Sequence, residues 1–260
     1  MMQRLTYRGL AYYQFEALRA CGVNHGIFTR RGGVSQGQWA SLNMSCSTGD
    51  AAEAVYENRR RALEALGLQP ERACTAWMVH GCQVRVVQPE DWRVSAANDV
   101  RADALVTQAR GVALTLRFAD CVPVMFYDPR KGVIGLAHAG WRGLVAGVLI
   151  ETMRTMQRVF GSQPRDVIAA VGPSIGPQQF EVGADVAAQI QQAVDVPVVR
   201  QVAGRLYADL WRAAHAQLAA LGVDHVEIAG ICTASNTDEW FSHRAERGQT
   251  GRFGAIIALE

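Results

Sequence analysis

The chain has 260 residues, of which 49% are hydrophobic and 19% are charged. This composition excludes a disordered protein and provides enough apolar residues for a sizeable core, while the net charge of +2 predicts no nucleic-acid or membrane partner. Because no apolar run approaches the roughly 18 residues of a membrane helix and the N-terminus has no apolar signal segment, we expect a soluble, cytoplasmic protein.

Strand and helix patterns alternate along the chain without a linker or an internal repeat, so residues 1–260 are predicted to form one domain. Asp50 and Glu53 form a capping-box pattern at the start of the first strong helix, and Gly67 closes it. The predicted helices are about 50–66, 144–160 and 206–221, and the predicted strands are 25–30, 84–88, 112–118, 122–128, 133–139, 166–172, 225–233 and 252–259.

The mixture of hairpins with strand–helix–strand units predicts an α+β fold. We expect mixed β-sheets with antiparallel hairpins and βαβ units, flanked by helices. A doubly wound parallel sheet is not expected, because consecutive strands such as 122–128 and 133–139 are joined by a short turn.

The predicted hairpin over 122–139 brings two chemically reactive residues together. A two-residue turn would place Cys121 opposite His138, whereas a four-residue turn would place Gly140 opposite Cys121. In either register Cys121 and His138 lie at the same end of neighbouring strands, where opposed β-carbons are about 4.5–5.5 Å apart.

A thiol and an imidazole at this separation suit either of two kinds of site. They could act as nucleophile and base, or as two ligands of one metal. Asp120 adds a carboxylate beside Cys121, and His80 in "VHGCQV" is a further candidate. A buried cysteine and a hydrogen-bonded histidine are more often structural, but the adjacency of Cys121 and His138 beside a glycine-rich turn favours a functional site.

The cysteines show no CxxC pair and no compact framework. In a long chain without a secretion signal, free thiols are expected rather than disulfides. The six cysteines are Cys21, Cys46, Cys74, Cys82, Cys121 and Cys232.

Several arginines stand beside glycines. A guanidinium suits phosphate or carboxylate, although any single arginine could equally serve the solubility of the surface. These arginines are Arg30, Arg31, Arg142, Arg244, Arg247 and Arg252.

A set of motifs in this chain resembles the laccase-domain family, also called multicopper polyphenol oxidoreductases and now regarded as purine nucleoside phosphorylases. The resemblance runs from about residue 24 to the C-terminus with the motifs in the family's order. The motifs are "FTRRGGVSQGQWASLN", "VHGCQV", "ADALVT", "FADCVPV", "GLAHAGWRG", "VGPSIGPQQFEVG" and "CTASNTDEWFSHRAERGQTGRFGAIIAL".

The resemblance implies a zinc site formed by His80, Cys121 and His138. Three protein ligands leave a fourth position open for water or substrate, as in catalytic zinc sites, and the same donors would also accept copper. Gly81 and Gly140 would allow substrate to approach the metal. The implied partners are a nucleoside and phosphate, and the chain is expected to be a monomer or a homodimer.

The implied reactions are phosphorolysis of adenosine, inosine and methylthioadenosine, and deamination of adenosine. Deamination needs a proton shuttle, for which Asp120 is the candidate. Phosphorolysis needs an anchored phosphate, which suits Arg30 or Arg142, and a polar contact to the sugar, which suits Asn43.

Two alternative enzymes stay open, besides a metal-bound regulatory or binding protein without turnover. One is a copper-dependent, laccase-like polyphenol oxidase, although multicopper sites need many histidines and this chain has 6. The other is a cysteine hydrolase acting on peptidoglycan precursors, with Cys121 as nucleophile and His138 as base. The chain also departs from the family pattern at two positions. Met78 stands where a glutamine is common, which bears on how the metal ligands are oriented, and Arg101 stands where an aspartate is common, which could alter the charge of the pocket.

Overall fold

The computed structural model describes residues 2–91 and 100–260. Within them the helices are α1 (Glu16–Ala20), α2 (Ala52–Ala65), α3 (Trp141–Ala146), α4 (Val148–Phe160), α5 (Ala184–Gln192) and α6 (Leu210–Ala220). The strands are β1 (Met2–Tyr7), β2 (Leu10–Phe15), β3 (Asn24–Phe28), β4 (Ala73–Cys74), β5 (Val84–Val86), β6 (Ala104–Thr107), β7 (Ala113–Phe118), β8 (Val122–Asp128), β9 (Val133–Ala139), β10 (Ile168–Val171), β11 (Glu181–Val182), β12 (Val199–Val202), β13 (Arg205–Ala208), β14 (His225–Ile228) and β15 (Phe253–Ala258).

The strands form two large mixed sheets and one small sheet. The first six-stranded sheet has the order β1-β2-β3-β15-β7-β4, and the second has the order β14-β10-β8-β9-β6-β5. Most neighbours are antiparallel, but β4 with β7, β5 with β6 and β10 with β14 are parallel. The small sheet has the order β11-β13-β12. The predicted α+β class with mixed sheets is confirmed.

The two large sheets share a core because successive side chains of a strand point to opposite faces. Met125 of β8 and Leu136 of β9 are fully buried with Leu114 of β7 in one apolar cluster, which joins the second sheet to the first. Their neighbours Val124 and Ala137 belong to a different cluster on the opposite face of the second sheet. Burial on both faces explains why β8 and β9 read as almost continuous apolar runs.

Helices cover the outer faces of both sheets. Met153 of α4 and Leu218 of α6 are buried in the cluster on the outer face of the second sheet. Leu63 of α2 is buried with Phe28 and Ile256 on the outer face of the first sheet. Two sheets packed face to face and covered by helices leave the strand ends and their connections as the place where a site can be built.

The hairpin of β8 and β9 has the register that the longer predicted turn implies. Val122 pairs with Ala139 and Pro123 with His138, so the next position along places Gly140 opposite Cys121. Gly132 lies in the turn with φ +62°, a left-handed conformation that glycine adopts without a steric penalty.

The predicted helices differ from the observed ones at points where local geometry overrides periodicity. The helix predicted over 144–160 is divided at Gly147, whose φ of +82° ends α3 and starts α4. The helix predicted over 206–221 starts at Leu210, because Arg205–Ala208 pairs as β13 between β11 and β12. Asp209 then caps α6 by accepting from the backbone N–H of Arg212.

Asp50 does not cap α2 as predicted. Its side chain instead accepts hydrogen bonds from Ser35 and Asn43, at 2.6 Å and 2.9 Å, and the helix starts one residue later, after Ala51. The predicted closure at Gly67 is confirmed, since that residue has φ +68°. In the described residues no helix has the length and apolar character needed to cross a membrane.

Candidate metal centre

Three side chains from three separate segments converge beyond the ends of β8 and β9. Cys121 lies in the short link that carries the chain from β7 of the first sheet to β8 of the second. His138 is the second-last residue of β9, and His80 comes from the loop before β5. The ligand atoms of these three residues all lie within 4.8 Å of one another, so the predicted convergence of Cys121 and His138 is confirmed and His80 joins them.

Gly140 makes this convergence sterically feasible. A β-carbon at Gly140 would lie 2.8 Å from the Sγ of Cys121 and 3.5 Å from the ring of His80. The first distance is shorter than real contacts allow, so any larger residue would displace the thiol. The thiol that faces Gly140 across the hairpin therefore requires a glycine at this position of "HAGW".

Asp103 holds two of the three candidate ligands in place. Its fully buried carboxylate accepts hydrogen bonds from the backbone N–H groups of Val79, His80 and Gly81, at 3.2, 2.9 and 2.7 Å. The same carboxylate lies 3.0 Å from the Nδ1 of His138. A carboxylate that accepts a hydrogen bond from Nδ1 orients the ring so that Nε2 remains free to bind a metal.

The backbone on either side of the cluster has unusual conformations that these contacts maintain. His80 has φ +60° and Asp120 has φ +79°, values in the left-handed region that non-glycine residues rarely adopt. Such conformations persist where surrounding contacts over-determine them, and they concentrate at functional sites. For His80 the three N–H bonds to Asp103 supply that constraint.

The electrostatics of the cluster favour a thiolate. Burial by itself would raise the pKa of Cys121, but the adjacent rings of His138 and His80 lower the pKa of that thiol to about 6. Burial by itself would also lower the pKa of His138, whereas Cys121 and Asp103 raise the pKa of that imidazole to about 9. A thiolate is the form of cysteine that binds metals and attacks electrophiles.

The chemistry of these donors fits a single metal ion. One thiolate and two imidazoles are the ligand types that zinc and copper accept, and Asp103 supplies the outer hydrogen bond typical of metal-bound histidine. Within residues 2–91 and 100–260, His80, Cys121 and His138 are the group of histidine, cysteine or acidic side chains that could hold an ion.

The cluster forms part of the wall of a cavity of about 450 Å³, which we call the metal-site cavity. Its volume suits a small organic molecule. The cavity is lined by Ser45, Ser47, Met78, His80, Arg117, Ala119, Asp120, Cys121, His138, Gly140, Trp141, Arg142, Ile175, Phe180, Leu210, His243, Arg244 and Arg252.

Two of the remaining sequence-predicted residues, Asp120 and Arg142, line this cavity. Both oxygens of Asp120 accept hydrogen bonds: Oδ1 from the hydroxyls of Thr233 and Ser242, and Oδ2 from the backbone N–H of Arg244. These hydrogen bonds connect the C-terminal loop to Asp120 and hence to Cys121, the candidate metal ligand that follows it in sequence. The guanidinium of Arg142 is exposed and lies 4.3 Å from the centre of the Trp141 ring.

The other two predicted residues, Arg30 and Asn43, are not brought to the cavity. The guanidinium of Arg30 donates to the carbonyls of Ala40 and Thr237 and pairs with Glu246 at 3.0 Å. These contacts engage the guanidinium of Arg30 with protein groups, and its contact with phosphate stays a prediction.

Asn43 is fully buried and acts on the loop that lines the cavity. Its Oδ1 accepts from the backbone N–H groups of Ser45 and Arg252, at 3.1 and 2.9 Å, and its Nδ2 donates to Thr48 and Asp50. Every polar atom of the side chain already has a protein partner, and its contact with the sugar likewise stays a prediction. Asn43 instead positions residues that do line the cavity.

Sequence reasoning missed Asp103 and Arg117. Asp103 stands in the "ADALVT" motif, and its carboxylate has no neighbour in sequence that would reveal a partner at His138. Arg117 precedes "FADC" within an apolar strand, where a charged residue is unusual; that position is the signal that could have indicated it. The prediction of free cysteines agrees with the structure, in which all six thiols are unpaired.

A family model described as multi-copper polyphenol oxidoreductase laccase matches residues 24–260. The chain belongs to this family. It is 36% identical to the purine nucleoside phosphorylase of Bacteroides thetaiotaomicron over 98% of this chain and 96% of that protein. It is also 41% identical to the purine nucleoside phosphorylase of Deinococcus radiodurans, over 91% and 89% of the respective chains.

Solved structures of family members have the same fold. The structure of YlmD from Geobacillus stearothermophilus superposes with a TM-score of 0.92 at 35% identity, covering 100% of this chain and 98% of that one. The Bacillus licheniformis hypothetical protein YfiH superposes with a TM-score of 0.90 at 29% identity, covering 100% and 99%. The fold that carries the site described above is therefore shared with both of these solved structures.

Proposed function

We propose that the protein is a zinc-dependent purine nucleoside phosphorylase that acts on adenosine, inosine and methylthioadenosine and also deaminates adenosine. The observation that carries the proposal is the His80–Cys121–His138 cluster in the wall of a cavity that arginines also line. The relatives named purine nucleoside phosphorylase support the reaction class.

Zinc, when bound by these three residues, would supply a Lewis acid that polarises an oxygen or nitrogen of the substrate. Asp103 would keep the ligand rings oriented through its bonds to Nδ1 of His138 and to the backbone of His80. Gly140 would keep the thiol at its observed position. These residues prepare the site before substrate arrives, and such preorganisation is a large part of catalysis.

In phosphorolysis a phosphate oxygen forms a bond to C1′ of the ribose as the bond from C1′ to N9 of the purine breaks. The electron pair of the broken bond leaves on the base, which takes up one proton, and the products are ribose 1-phosphate and the free base. Arg142 is our candidate for holding phosphate, because its exposed guanidinium lines the cavity beside the metal ligands.

In deamination a water oxygen forms a bond to C6 of adenine as the bond from C6 to the amino nitrogen breaks, releasing ammonia. This exchange requires a group that moves a proton from the water to the leaving nitrogen. Asp120 remains our candidate because it lines the cavity next to Cys121. Its present hydrogen bonds to Thr233, Ser242 and Arg244 would have to loosen for that role.

A second candidate function, a cysteine hydrolase, is favoured by one observation. The paired shifts that lower the pKa of Cys121 to about 6 and raise the pKa of His138 to about 9 describe a thiolate beside an imidazolium, the arrangement that nucleophilic cysteine enzymes use. Phenol oxidation through several copper ions would need several ligand clusters, and the described residues offer the His80–Cys121–His138 group.

Replacing Cys121 with Ala should separate these candidates. The substitution removes one of three metal ligands, so metal content, inosine phosphorolysis and adenosine deamination should fall together, each by at least about tenfold. The measurement is metal analysis of purified protein combined with both assays. Phosphorolysis at the wild-type rate by Cys121→Ala would contradict the proposal. A hydrolase activity that the substitution abolishes, but that a chelator leaves unchanged in the wild-type protein, would favour the alternative.

A further inference from the structure

The metal-site cavity contains cationic side chains that the proposed reaction has not yet used. Arg117 and Arg252 both line it. Arg59 lies close behind, since its charge lowers the pKa of Arg117 and both residues line a second cavity of about 350 Å³. Within residues 2–91 and 100–260, no carboxylate oxygen lies within 4.0 Å of a guanidinium nitrogen of these three arginines.

Several other arginines of the described residues are paired with carboxylates, which these three are not. Arg30 pairs with Glu246 at 3.0 Å, Arg61 with Glu57 at 2.7 Å, and Arg154 with Glu151 at 2.7 Å. The pairs of Arg61 and Arg154 are exposed or half-exposed, where a counter-ion matters less. Arg59, Arg117 and Arg252 are also withdrawn from water but have no salt bridge with the described residues, which is costly for a buried charge.

Arg117 is held in a fixed position and still has an unused donor. It extends from β7, and its Nη1 and Nη2 donate to the hydroxyl of Thr75 at 2.5 Å and the carbonyl of Ala76 at 2.8 Å. Its Nε is buried and has no hydrogen-bond partner in the structure. A buried N–H without a partner costs free energy of desolvation, so the protein leaves part of this cation unsatisfied.

Arg252 reaches the same end of the first sheet. Gly254 of β15 pairs with Arg117 of β7, so Arg252 lies two residues beyond that pair, immediately before β15. Its Nη1 donates to the carbonyls of Thr250 and Gly251, and its backbone N–H is held by Asn43. The other nitrogens of its guanidinium are thereby oriented by the protein but make no hydrogen bond to the described residues.

Burial destabilises the charge of both arginines, although the negative charges of Cys121, Asp120 and Glu246 partly offset this effect at Arg252. Burial lowers the pKa of Arg117 to about 9, with a further contribution from Arg59, and it lowers the pKa of Arg252. Neutral hydrogen-bond donors complete the surroundings: Ser45 and Ser47 line the same cavity, and their hydroxyls lie 2.9 Å apart. Two guanidiniums and two hydroxyls are a donor set that suits a tetrahedral oxyanion. The carboxylate of Asp120 also lines this cavity, but its oxygens accept hydrogen bonds from Thr233, Ser242 and the backbone N–H of Arg244.

We propose that Arg117, Arg252 and the hydroxyls of Ser45 and Ser47 form a binding site for inorganic phosphate within the metal-site cavity. The identity of the anion rests on the proposed phosphorylase function, whereas the site itself rests on the unpaired cations. Arg142, whose guanidinium is exposed, adds a contact from the solvent side, and Asn43 acts as a positioning residue through Ser45 and Arg252.

Phosphate binding to the metal-free protein tests this site. Because the donors are arginines and serines, phosphate should bind after the metal has been removed with a chelator, as measured by isothermal titration calorimetry. Arg117→Gln and Arg252→Gln should each raise the Kd for phosphate by about tenfold to a hundredfold, the loss expected for charge-assisted hydrogen bonds. Arg154→Gln, which removes a surface arginine on α4, is the matched control and should leave the Kd unchanged.

Two further variants keep the test decisive. Ser47→Ala changes an exposed side chain, so it should fold even if Arg117→Gln does not, and it should raise the Kd for phosphate by a few-fold. Arg142→Ala should raise the Kd less than Arg252→Gln. A Kd that is unchanged in both Arg252→Gln and Ser47→Ala, or phosphate binding that requires the metal, would overturn the proposed site.

The outcome for this site can be distinguished from the outcome for the proposed function. If phosphate binds and the arginine variants weaken it, but the metal-loaded protein phosphorolyses no nucleoside, the site stands and the phosphorylase proposal fails. If inosine is phosphorolysed and the KM for phosphate is the same in wild type and Arg252→Gln, the phosphorylase proposal stands and this site fails.

Discussion

At the scale of single residues, the geometry of the candidate metal centre depends on residues that are not metal ligands themselves. Gly140 carries no functional group, yet it determines where the thiol of Cys121 can lie, because a β-carbon there would come within 2.8 Å of Sγ. Asp103 does not line the metal-site cavity. It positions His80 and His138, and is a positioning residue for the metal centre.

Replacing Gly140 with Ala should weaken metal binding without unfolding the protein. The new methyl group would push the Sγ of Cys121 away from the two imidazoles, and we expect at least a tenfold loss of zinc affinity, measured by competition with a chromogenic chelator. Gly81→Ala is the matched control, since a β-carbon at Gly81 would meet its nearest neighbour, Asp103, at an ordinary 3.6 Å. Equal zinc affinity in Gly140→Ala and wild type would refute the steric role.

At the scale of secondary-structure elements, a buried histidine connects β2 and β3 to the adjoining helix. His25 of β3 is fully buried; its Nε2 accepts from the backbone N–H of Phe15 at 2.8 Å, and its Nδ1 lies 2.9 Å from the carbonyl of Val23. Only the neutral ring can accept at Nε2 and donate at Nδ1 simultaneously. Burial accordingly lowers the pKa of His25 below its ordinary 6.5.

This lowered pKa predicts a loss of stability in acid. The unfolded chain binds a proton at His25 more readily than the folded protein does, so the free energy of unfolding should fall as the pH drops below about 6.5, until the folded-state pKa is passed. His25→Gln, which can also accept and donate one hydrogen bond, should show a flatter dependence between pH 7.5 and about 5 in urea unfolding. His225→Gln at an exposed position is the control; an unchanged slope in His25→Gln would contradict the prediction.

Helix boundaries at this scale depend on backbone conformation more than on apolar periodicity. One amphipathic pattern extends over 144–160, but Gly147 adopts φ +82° and divides it into α3 and α4. The division allows α3 to follow directly from Gly140 at the metal centre while α4 lies on the second sheet. The periodicity indicates which residues are buried, and the glycine decides where the helix axis changes.

At the scale of the whole molecule, the metal centre joins segments that are distant in sequence. Cys121 lies where the chain passes from the first sheet to the second, His138 belongs to the second sheet, and His80 comes from a loop before β5. An ion held by all three would link both sheets. Metal binding to the folded state alone therefore stabilises that state through mass action.

Zinc should raise the free energy of unfolding in a way that depends on Cys121. At a free zinc concentration of about 100 times the Kd, the gain should be about 2.7 kcal/mol, observed as a shift in the midpoint of urea unfolding between chelated and zinc-loaded protein. Cys121→Ala should lose most of this shift. Cys21→Ala is the control, because that exposed thiol lies outside the cluster; a shift that persists in Cys121→Ala would place the stabilising ion elsewhere.

Within one chain, local pattern was sufficient for some features of the site and insufficient for others. The hairpin of β8 and β9 follows from two apolar runs around a short turn, and any register of that hairpin puts Cys121 near His138. The alternation of residues in a strand is a local property, so the buried faces could also be predicted. His80 could be assigned only through family resemblance, because it lies in a loop and no strand-pairing register predicts its neighbours.

The sequence by itself thus determined the mixed-sheet class, the Cys121–His138 pair and the absence of a disulfide framework, since each depends on spacing between near neighbours or on composition. Tertiary structure alone decided that Asp103 contacts His138 and that Asn43 and Arg30 are occupied by other protein groups. It also decided that Arg117 and Arg252 line a common cavity and form no salt bridge with the described residues. The physical reason is that a side chain's hydrogen-bond partners and its burial depend on segments brought together only when two sheets pack. Charge and polarity can be read from a residue's name, whereas whether a charge is paired depends on the fold.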